Sequence, residues 1–432
     1  MPLRAIVVDF NSYFASCEQQ LRPELRGKPV AVVPVNTDST CCIAASYEAK
    51  RFGVKTGTGV GDAKQMCPGL IVVEGRPELY VELHERLVAV IEDCIHVERV
   101  MSIDEMGADL TGKLQDRGRA VELARKIKRE ISSKVGTELR CSIGIAPNHY
   151  LAKTASDMQK PDGLVVIEQE ELPQILHRLE LRDLCGIGRN MELRLHQHGI
   201  RTVEQLCAAT KEELREAWGS IEGERMHQDL RGEIVYRPPE RHSSIGHSHV
   251  LPPEERNEKD AFAVLNRLLQ KAAMRLRKMG YYAGGMHVSV RHVRQSRWGD
   301  ECRFTETQDT VELLHALRML WERRPGKCPA PMKVGVVLSN LVEEANRTPS
   351  FFEKNPRKQL NAGIDKINSL FGNNTIYFAG AHSARKSAPL RIAFSRVPDL
   401  KTEADGKELP PEHEARLAAR RSRGKAVPRR GE

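Results

Sequence analysis

Apolar runs and amphipathic segments alternate along the first 165 residues in an order that predicts one sheet. Leu3 to Val8 is a short apolar run ending at Asp9, typical of a buried strand. Helical spacing of apolar residues follows from Leu79 to Ile95 and from Arg119 to Ile131. The other predicted strands are Ile95–Ile103, Met106–Leu110 and Leu139–Ile145. The resulting order, β-α-β-β-α-β, is the ferredoxin-like pattern.

An insertion from Leu21 to about Pro77 interrupts this pattern. Pro29–Val35 and Cys41–Ala45 predict two short strands, and Tyr47–Phe52 predicts a short helix that ends at Gly53. The rest of the insertion is rich in glycine, lysine and threonine, which gives it a basic face. After the last strand, Pro147–Asp157 predicts another helix, followed by a turn from Lys160 to Gly163.

The second half of the chain predicts two further modules. Leu176–Leu184, a turn at Gly186-Ile187-Gly188 and a helix from Met191 to His198 predict a helix-hairpin-helix. Glycines in such a turn let backbone N–H groups approach a phosphate closely, so Gly186, Gly188 and the adjacent Arg189 are candidate DNA contacts. Gly-Ile-Gly alone is a weak signal of DNA binding.

Beyond a proline-rich linker near residue 238, the β-α-β-β-α-β order recurs. Its predicted elements are His247–Leu251, Ala261–Met279, Met286–His292, Glu301–Phe304, Val311–Arg323 and Val334–Leu341. The strands and loops carry Arg291, Arg294, Arg297 and Arg303. Two interpretations stay open, a solvated charged face or contact with a DNA backbone.

Composition narrows the class of protein. The net charge of +9 favours an anionic partner, with nucleic acid first. Ten scattered cysteines without a CxxC pair predict a reduced, cytoplasmic chain, and no apolar run approaches the roughly 18 residues of a membrane span. Residues 386–432 form a basic tail that we expect to be disordered, after a short helix from Gln359 to Phe371.

The candidate chemistry centres on Asp104 and Glu105, which lie between two predicted strands. Neighbours on a strand point to opposite faces, so the pair must lie at a bend to share a target. An acidic turn is the commoner interpretation of such a pair alone. The predicted sheet, however, brings Asp9 beside it, and three acids at one sheet end suit Mg²⁺.

Groups that bind phosphate surround the three acids in the predicted fold. Ser12 is a plausible N-cap of a helix directly after Asp9, and a helix N-terminus binds anions. Lys50, Lys160 and Tyr47 are candidates for triphosphate oxygens. Two Mg²⁺ ions, roughly 3.5–4 Å apart, could then clamp an in-line displacement of pyrophosphate by a primer hydroxyl.

Four stretches together resemble the Y-family, or translesion, DNA polymerases of the bacterial UmuC and DinB type. They are Val8-Asp9-Phe10-Asn11-Ser12-Tyr13-Phe14-Ala15-Ser16-Cys17-Glu18, Tyr47-Glu48-Ala49-Lys50-Arg51-Phe52-Gly53-Val54-Lys55, Ser102-Ile103-Asp104-Glu105, and Cys141 to Asn148 running on to Lys160-Pro161-Asp162-Gly163-Leu164. The resemblance covers about residues 1 to 380. It implies error-prone, template-directed DNA synthesis with two Mg²⁺ ions, in DNA repair and SOS mutagenesis.

The resemblance also implies a right-hand α+β fold with a ferredoxin-like palm, small fingers, a helix-hairpin-helix thumb and a βαββαβ little finger. The implied boundaries are palm 1–22 and 78–165, fingers 23–77, thumb 166–237, linker 238–245, little finger 246–345, C-terminal extension 346–385 and basic tail 386–432. Primer-template DNA and dNTPs are the implied partners, at a cytoplasmic, nucleoid-associated location.

Site residues carried over by the resemblance agree with the candidates. Asp9, Asp104 and Glu105 would be carboxylate metal ligands, with the Phe10 backbone carbonyl beside them. Phe14 falls at the steric gate, a ring that collides with a ribose 2′-hydroxyl. Without the resemblance, Phe14 is a plain core aromatic. The dNTP-binding set would be Asn11, Ser12, Tyr13, Phe14, Tyr47, Lys50 and Lys160.

Three features depart from the family pattern. Lys50 stands where DinB-type members usually have arginine, which removes bidentate phosphate contact. The opening Asp9-Phe10-Asn11 is UmuC-like, whereas Tyr47 is DinB-like. No clear peptide for the replicative sliding clamp is found, with Leu390–Phe394 only a loose substitute, and SOS accessory subunits are a further implied partner.

Two other functions remain as alternatives at this point. A nucleotidyl cyclase can use the same palm and paired acids, but it needs neither a helix-hairpin-helix nor a second basic domain. A catalytically silent, DNA-bound scaffold would not need all three acids.

Overall fold

The computed structural model describes residues 2–237, 242–293, 297–326, 328–348, 357–372, 374–385, 387 and 397–398. The chain divides near residue 240 into two compact units. The elements of the first unit are β1 (Ala5–Phe10), α1 (Tyr13–Leu21), β2 (Val30–Val33), β3 (Ala44–Ala45), α2 (Tyr47–Lys50), α3 (Val60–Met66), β4 (Ile71–Glu74), α4 (Pro77–Glu92), β5 (Arg99–Val100), β6 (Glu105–Asp109), α5 (Arg117–Lys134), β7 (Cys141–Ala146), α6 (His149–Met158), β8 (Leu164–Val166), α7 (Arg189–Gln197), α8 (Val203–Ala208), α9 (Lys211–Trp218) and α10 (Ile221–Asp229).

A five-stranded sheet in the order β5-β6-β1-β7-β8 forms the centre of the first unit. The apolar strand β1 is completely buried and pairs antiparallel with both β6 and β7. The prediction that the first strand lies beside the central hairpin is therefore correct. The fifth strand, β8, was not predicted; it directly follows the predicted turn and runs parallel to β7.

The first strand of the central hairpin is much shorter than predicted. The expected strand from Ile95 to Ile103 is reduced to the two exposed residues of β5, Arg99 and Val100. Polar residues interrupt the run, and Glu92 binds the backbone N–H of Val97 at 2.7 Å. This end of the hairpin has no buried face, so burial does not drive strand formation there.

Helix α6 packs directly against strand β7 because Gly144 has no side chain. A Cβ atom at Gly144 would lie 2.0 Å from the carbonyl oxygen of Ala152. The Asn148 side chain caps the helix by accepting a hydrogen bond from the Leu151 N–H at 2.8 Å. Close packing of α6 on the sheet sets the distance between helix side chains and the end of β1.

The insertion folds as a small sheet in the order β3-β2-β4. Its core is built mainly from small residues, namely Ala31, Cys42, Ala45, Ala49, Val54, Ala63 and Cys67. Helix α3 and strand β4 were not predicted, because both elements are short and contain few apolar residues. Helix α2 begins after Ser46, whose hydroxyl accepts a hydrogen bond from the Ala49 N–H.

Four helices, α7 to α10, follow β8, but the first predicted helix of the hairpin does not form. Leu176–Leu184 contains only 3-10 turns, because Glu180 and Asp183 cap each other's backbone in place of a continuing helix. Helices α8 and α9 were missed, although both have a threonine three residues before a glutamine or glutamate. Those pairs, Thr202 with Gln205 and Thr210 with Glu213, form capping boxes.

The second unit contains a four-stranded antiparallel sheet covered by helices. Its elements are β9 (Ser244–Val250), α11 (Glu258–Lys278), β10 (Tyr281–His292), β11 (Arg297–Thr307), α12 (Thr310–Glu322), β12 (Pro331–Glu343) and α13 (Lys358–Phe371). The predicted β-α-β-β-α-β order is present, and α13 matches the predicted short helix. Strand β9 begins at Ser244, two residues inside the stretch expected as a linker.

The strand order of this sheet, β11-β10-β12-β9, differs from that of the first unit. Here the first strand lies at the edge, beside the last strand, whereas β1 lies in the middle of its sheet. Side chains of one face pack with α11 and α12 into a core that includes Val288, Val290 and Leu338. The other face is free of that core.

Some predictions fall outside the described residues. They are Arg294, the peptide Leu390–Phe394 and most of the basic tail from 386 to 432. Within the described part of the chain, no helix is long and apolar enough to cross a bilayer.

Candidate active site

Two of the three predicted acids are direct partners in the central sheet. Asp9 on β1 pairs with Glu105 on β6, and the Phe10 N–H donates to the Asp104 carbonyl at 2.8 Å. Asp104 directly precedes β6, so it lies at the bend and not within a regular strand. Asp9, Asp104 and Glu105 therefore lie together at one end of adjacent strands, as the sequence predicts.

Two side chains outside the predicted set hold the bend. The Ser102 hydroxyl donates to Asp104 Oδ1 at 2.6 Å. Buried His84 on α4 bonds through Nδ1 to the Ile103 carbonyl at 2.8 Å, so Nδ1 carries the proton. Burial raises the pKa of Asp104 and of Glu105, against the opposing effects of Ser102 and Lys153 respectively.

Lysines from α6 and the following turn neutralise these acids. The Lys153 ammonium contacts Asp9 Oδ2 and lies 3.0 Å from Glu105 Oε1. Lys160 lies 2.8 Å from Asp9 Oδ1, and both lysines also bind Asp157. Burial acts to lower the pKa of each lysine, but the surrounding carboxylates outweigh it and raise both.

The acids are hard oxygen donors of the kind that Mg²⁺ prefers. The ammonium of Lys153 lies among these acids. Among the described residues, no group of three acidic, histidine or cysteine side chains is arranged to hold a metal ion. The donor set fits a divalent cation in charge and chemistry, provided that Lys153 yields Asp9 and Glu105 to it.

A buried polar network connects Asn11 to the turn that carries Lys160. Asn11 donates to the Ser142 hydroxyl at 3.1 Å and accepts from the Asp162 N–H at 2.8 Å. Ser142 in turn donates to the Gln159 carbonyl and accepts from the Gly163 N–H. The side chain of Asn11 thus has a structural role beyond the predicted backbone contact.

The residues predicted to hold a triphosphate lie close to Asp9. Ser12 has a left-handed backbone with φ 49° and ψ 43°. Its buried hydroxyl makes no hydrogen bond of normal geometry within the described residues, although it lies close enough to Tyr47 to influence the pKa of that phenol. Lys50 lies over the Tyr47 ring, with Nζ 4.5 Å from the centroid. Partial desolvation and the nearby Lys160 ammonium lower the pKa of Lys50.

Phe14 lies on the buried side of α1, where its ring stacks on Tyr80 of α4. The Tyr13 hydroxyl donates to the Tyr80 carbonyl at 2.6 Å, so the Tyr13 side chain points into the protein. Glu18 is fully buried and binds Tyr80 and Arg76. Aromatic packing and this ion pair fix α1 against α4.

The glycine turn before α7 presents its backbone to solvent. Gly186 has φ 86°, and Gly188 is the N-cap of α7, with exposed Arg189 as the first helical residue. Ile187 between them is buried and anchors the turn. The turn has the geometry that its sequence predicts, even though the helix before it is absent.

Three of the predicted arginines of the second unit, Arg291, Arg297 and Arg303, share one face of its sheet. Arg291 lies directly opposite Arg297 on β11, and Lys333 on β12 flanks Arg291 on the other side. Arg303 lies farther along β11, and glycines and serines occupy much of the remaining face. Lys333 was missed because the predicted strand began only at Val334.

Sequence reasoning also missed Lys153 and Asp157. A usable signal was present, because Lys153 lies between Ala152 and Ala155 on the apolar side of an amphipathic helix. Asp157 follows four residues later and precedes Lys160 by three, which places it within reach of Lys153 on α6 and of Lys160 in the turn after the helix.

Three family models match the chain. The impB/mucB/samB family matches residues 8–157, and the C-terminal domain of that family matches residues 242–351. Residues 182–233 match the thumb domain of DNA polymerase-iota. Matches in the thumb and the C-terminal domain contradict the nucleotidyl cyclase alternative, which needs neither.

Curated relatives align over nearly their full length. The chain is 34% identical to DNA polymerase IV of Moorella thermoacetica over 383 residues, which cover 87% of this chain and 95% of the relative. It is 30% identical to DNA polymerase IV 1 of Bacillus subtilis, covering 90% and 94%.

Solved structures agree with these relatives. A Y-family DNA polymerase chimera of Dbh and Dpo4 is 28% identical with a TM-score of 0.65, covering 79% of this chain and 99% of the chimera. An insertion ternary complex of Dbh DNA polymerase matches with the same identity and coverage and a TM-score of 0.52. This chain belongs to the Y-family DNA polymerases of the DinB type, which are DNA-directed DNA polymerases of translesion synthesis that act on primer-template DNA and dNTPs.

Proposed function

We propose that this polymerase joins a dNTP to a primer 3′-hydroxyl with two Mg²⁺ ions held by Asp9, Asp104, Glu105 and the Phe10 carbonyl. The observation that carries the proposal is the pairing of Asp9 with Glu105 next to the Phe10–Asp104 backbone hydrogen bond. When bound, the ions would lower the pKa of the primer hydroxyl and neutralise the triphosphate. The protein's own task is then positioning and charge stabilisation.

The triphosphate would lie between the N-terminus of α1 and the cations of α2 and the turn after α6. Ser12 supports this assignment, because its buried hydroxyl has no hydrogen bond of normal geometry to any described residue and can donate to phosphate. Lys50 and Lys160 supply charge, and Tyr47 supplies a further donor. Backbone N–H groups from Asn11 to Phe14 complete the set.

Phe14 would act as the steric gate against ribonucleotides. Its backing by Tyr80 supports this role, because a ring that cannot retreat enforces exclusion of a 2′-hydroxyl. The small side chains of the inserted sheet, including Ala44 and Ala45, suit a fingers domain that leaves room over a damaged template base.

DNA would be held by two modules without base readout. In the thumb, the contacts would be made by the backbone of Gly186 and Gly188 and by the side chain of Arg189. In the little finger, Arg291, Arg294, Arg297 and Arg303, with Lys333 added, provide positive charge. Such contacts neutralise phosphates and position the duplex.

The proposal also includes the domain boundaries stated above, binding to a sliding clamp and to SOS accessory subunits, and a cytoplasmic, nucleoid-associated location. Addition of purified clamp to primer extension tests the clamp. Increased processivity that is lost when residues 386–432 are removed would assign the contact to the tail, and no stimulation would contradict clamp binding.

The deciding experiment is primer extension with Mg²⁺ on undamaged and abasic templates. Asp104→Ala should lower extension by at least about two to three orders of magnitude while DNA binding persists. Asp109→Ala is the matched control, because Asp109 lies at the other end of β6 and its side chain bonds only to surface His149, at 2.7 Å, among the described residues. Extension that survives in Asp104→Ala would sink the metal assignment, and a wild-type protein that binds DNA without extending it would favour the scaffold.

A further inference from the structure

Lys153 is a buried cation in contact with three carboxylates. The side chain lies on the sheet-facing side of α6, and the residue is 8% exposed. Its ammonium contacts Asp9 and lies 3.0 Å from Glu105 and 3.0 Å from Asp157. It therefore binds the two acids that face each other across β1 and β6, from a third element.

The three partners of Lys153 are not equivalent. Asp9 and Glu105 are proposed metal ligands, whereas Asp157 is one helical turn from Lys153 on the same helix. Asp157 also binds Lys160 at 2.7 Å, and Lys160 binds the other oxygen of Asp9 at 2.8 Å. Asp157 is thus a shared anchor for both lysines, outside the set of metal ligands.

We propose that Lys153 is a positioning residue, an internal counter-cation that holds Asp9 and Glu105 together and yields them to a divalent metal ion while keeping Asp157. This inference rests on the proposed metal ligands. Two carboxylates brought together in a buried site repel each other unless a cation lies between them. Lys153 supplies that cation before metal enters, and the ammonium and the metal then compete for the same oxygens.

This competition determines whether each substitution strengthens or weakens metal binding. Lys153→Met keeps the length of the side chain but removes the charge, so the protein should be less stable without metal and should bind metal more tightly. Asp157→Asn removes the alternative anchor, so Lys153 should hold Asp9 and Glu105 more firmly, Lys160 should hold Asp9 more firmly, and metal binding should weaken. A lysine that only fills space predicts neither change in metal affinity.

The test uses full-length protein and Mn²⁺, without DNA or nucleotide. Isothermal titration calorimetry gives the affinity, and thermal unfolding with and without Mn²⁺ gives the metal-dependent shift in Tm. We expect at least about tenfold tighter binding and a larger Tm shift for Lys153→Met, and about tenfold weaker binding for Asp157→Asn. Lys153→Arg should remain near wild type.

Lys134→Met is the matched control. Lys134 on α5 also bridges two carboxylates, Glu130 at 3.1 Å and Asp93 at 3.2 Å, but neither is a proposed metal ligand. It should lose some stability equally with and without Mn²⁺ and keep the wild-type affinity.

Unchanged or weaker Mn²⁺ binding by Lys153→Met, while wild type binds, would overturn the role of Lys153 and leave the metal ligands standing. Should Lys153→Met fail to fold, an unchanged affinity of Asp157→Asn overturns it equally. A wild-type protein that binds no Mn²⁺ would instead contradict the metal ligands themselves, and the role of Lys153 with them.

Discussion

The ring of Phe14 stacks on the ring of Tyr80, with centroids 4.8 Å apart and planes inclined by 16°. Tyr80 is itself held, because its hydroxyl donates to buried Glu18 at 2.7 Å, and Arg76 binds both oxygens of Glu18. The proposed gate thus has a rigid support that extends from α1 to the start of α4.

Removing either ring should relax sugar discrimination. Phe14→Ala deletes the gate and should lower the preference for dNTP over rNTP by about ten- to 200-fold, the range for a lost pocket contact. Tyr80→Leu leaves the gate but lets it retreat, and should lower the preference by about two- to tenfold, the worth of an aromatic pair. Single-nucleotide insertion, measured as kcat/KM for matched dNTP and rNTP, checks both.

Tyr80→Phe is the matched control for the support. It keeps the stacked ring and loses only the hydrogen bond to Glu18, so discrimination should fall less than in Tyr80→Leu. Unchanged discrimination in both Phe14→Ala and Tyr80→Leu would rule out a gate at this position.

The sequence was informative about the acids because each lies where an apolar run ends. Asp9 ends the apolar run of β1, and Asp104-Glu105 lies between two further runs, so the predicted β-α-β-β-α-β order placed all three acids at one sheet end. Lys153 could not be assigned in this way. Its contact with Asp9 joins residues 144 positions apart and depends on the close approach of α6 at Gly144.

The elements that the sequence failed to predict were mainly short ones, several of them stabilised by side-chain caps. Helices α8 and α9 are too short for a clear apolar period, and the first strand of the central hairpin is nearly all exposed. The strand order of the second sheet could not be predicted from the sequence either. The same β-α-β-β-α-β succession of elements places the first strand in the middle of the sheet in one unit and at its edge in the other.

Three basic side chains form a row across the little-finger sheet, and this row should bind DNA at a cost in stability. Arg297, Arg291 and Lys333 are consecutive cross-strand neighbours, so their charges repel. Arg297→Thr should lower DNA affinity and make the slope of log Kobs against log salt less negative by about 0.9. Thermal stability should rise slightly, by up to about 1 kcal/mol. Fluorescence anisotropy across a salt series and thermal unfolding measure the two effects.

Lys333→Thr should reproduce the loss of salt dependence, although that residue was not predicted. Arg318→Ala is the control, because Arg318 is exposed on α12 and pairs with Glu322 at 3.0 Å. Salt slopes that are unchanged in both sheet variants would exclude this face from DNA contact.

His84 should make the bend at Ile103 and Asp104 sensitive to acid. Burial lowers the pKa of His84, so the unfolded chain binds a proton more readily than the folded protein. Stability from this group therefore rises with pH between the folded pKa and the unfolded value of about 6.5, and it is lost as pH falls through that window. The difference in unfolding free energy between wild type and His84→Gln, measured from pH 5 to 8, isolates this effect from the nearby carboxylates.

His96→Gln should give a difference of opposite sign. The hydrogen bond that exposed His96 donates to the Glu92 carboxylate raises the pKa of His96, so this group stabilises the fold below pH 6.5 and stops doing so as pH rises through the folded pKa. A pH-independent difference for His84→Gln would show that His84 is not held neutral against Ile103.

Asn11 should act on the incoming nucleotide through Lys160. Its side chain accepts from the Asp162 N–H and donates to Ser142, and both bonds fix the turn after Lys160. Asn11→Ala should free this turn and raise KM for dNTP by about tenfold with a smaller change in kcat, because a displaced cation weakens binding before it affects chemistry. Asn11→Asp keeps the acceptor for Asp162 and can accept from Ser142, so it should stay closer to wild type.

If Asn11 works only through Lys160, adding Asn11→Ala to Lys160→Ala should cause little further loss, whereas independent effects would add. Full additivity in that double-mutant cycle would assign Asn11 a direct role at the nucleotide and remove the network from the account of how Lys160 is placed.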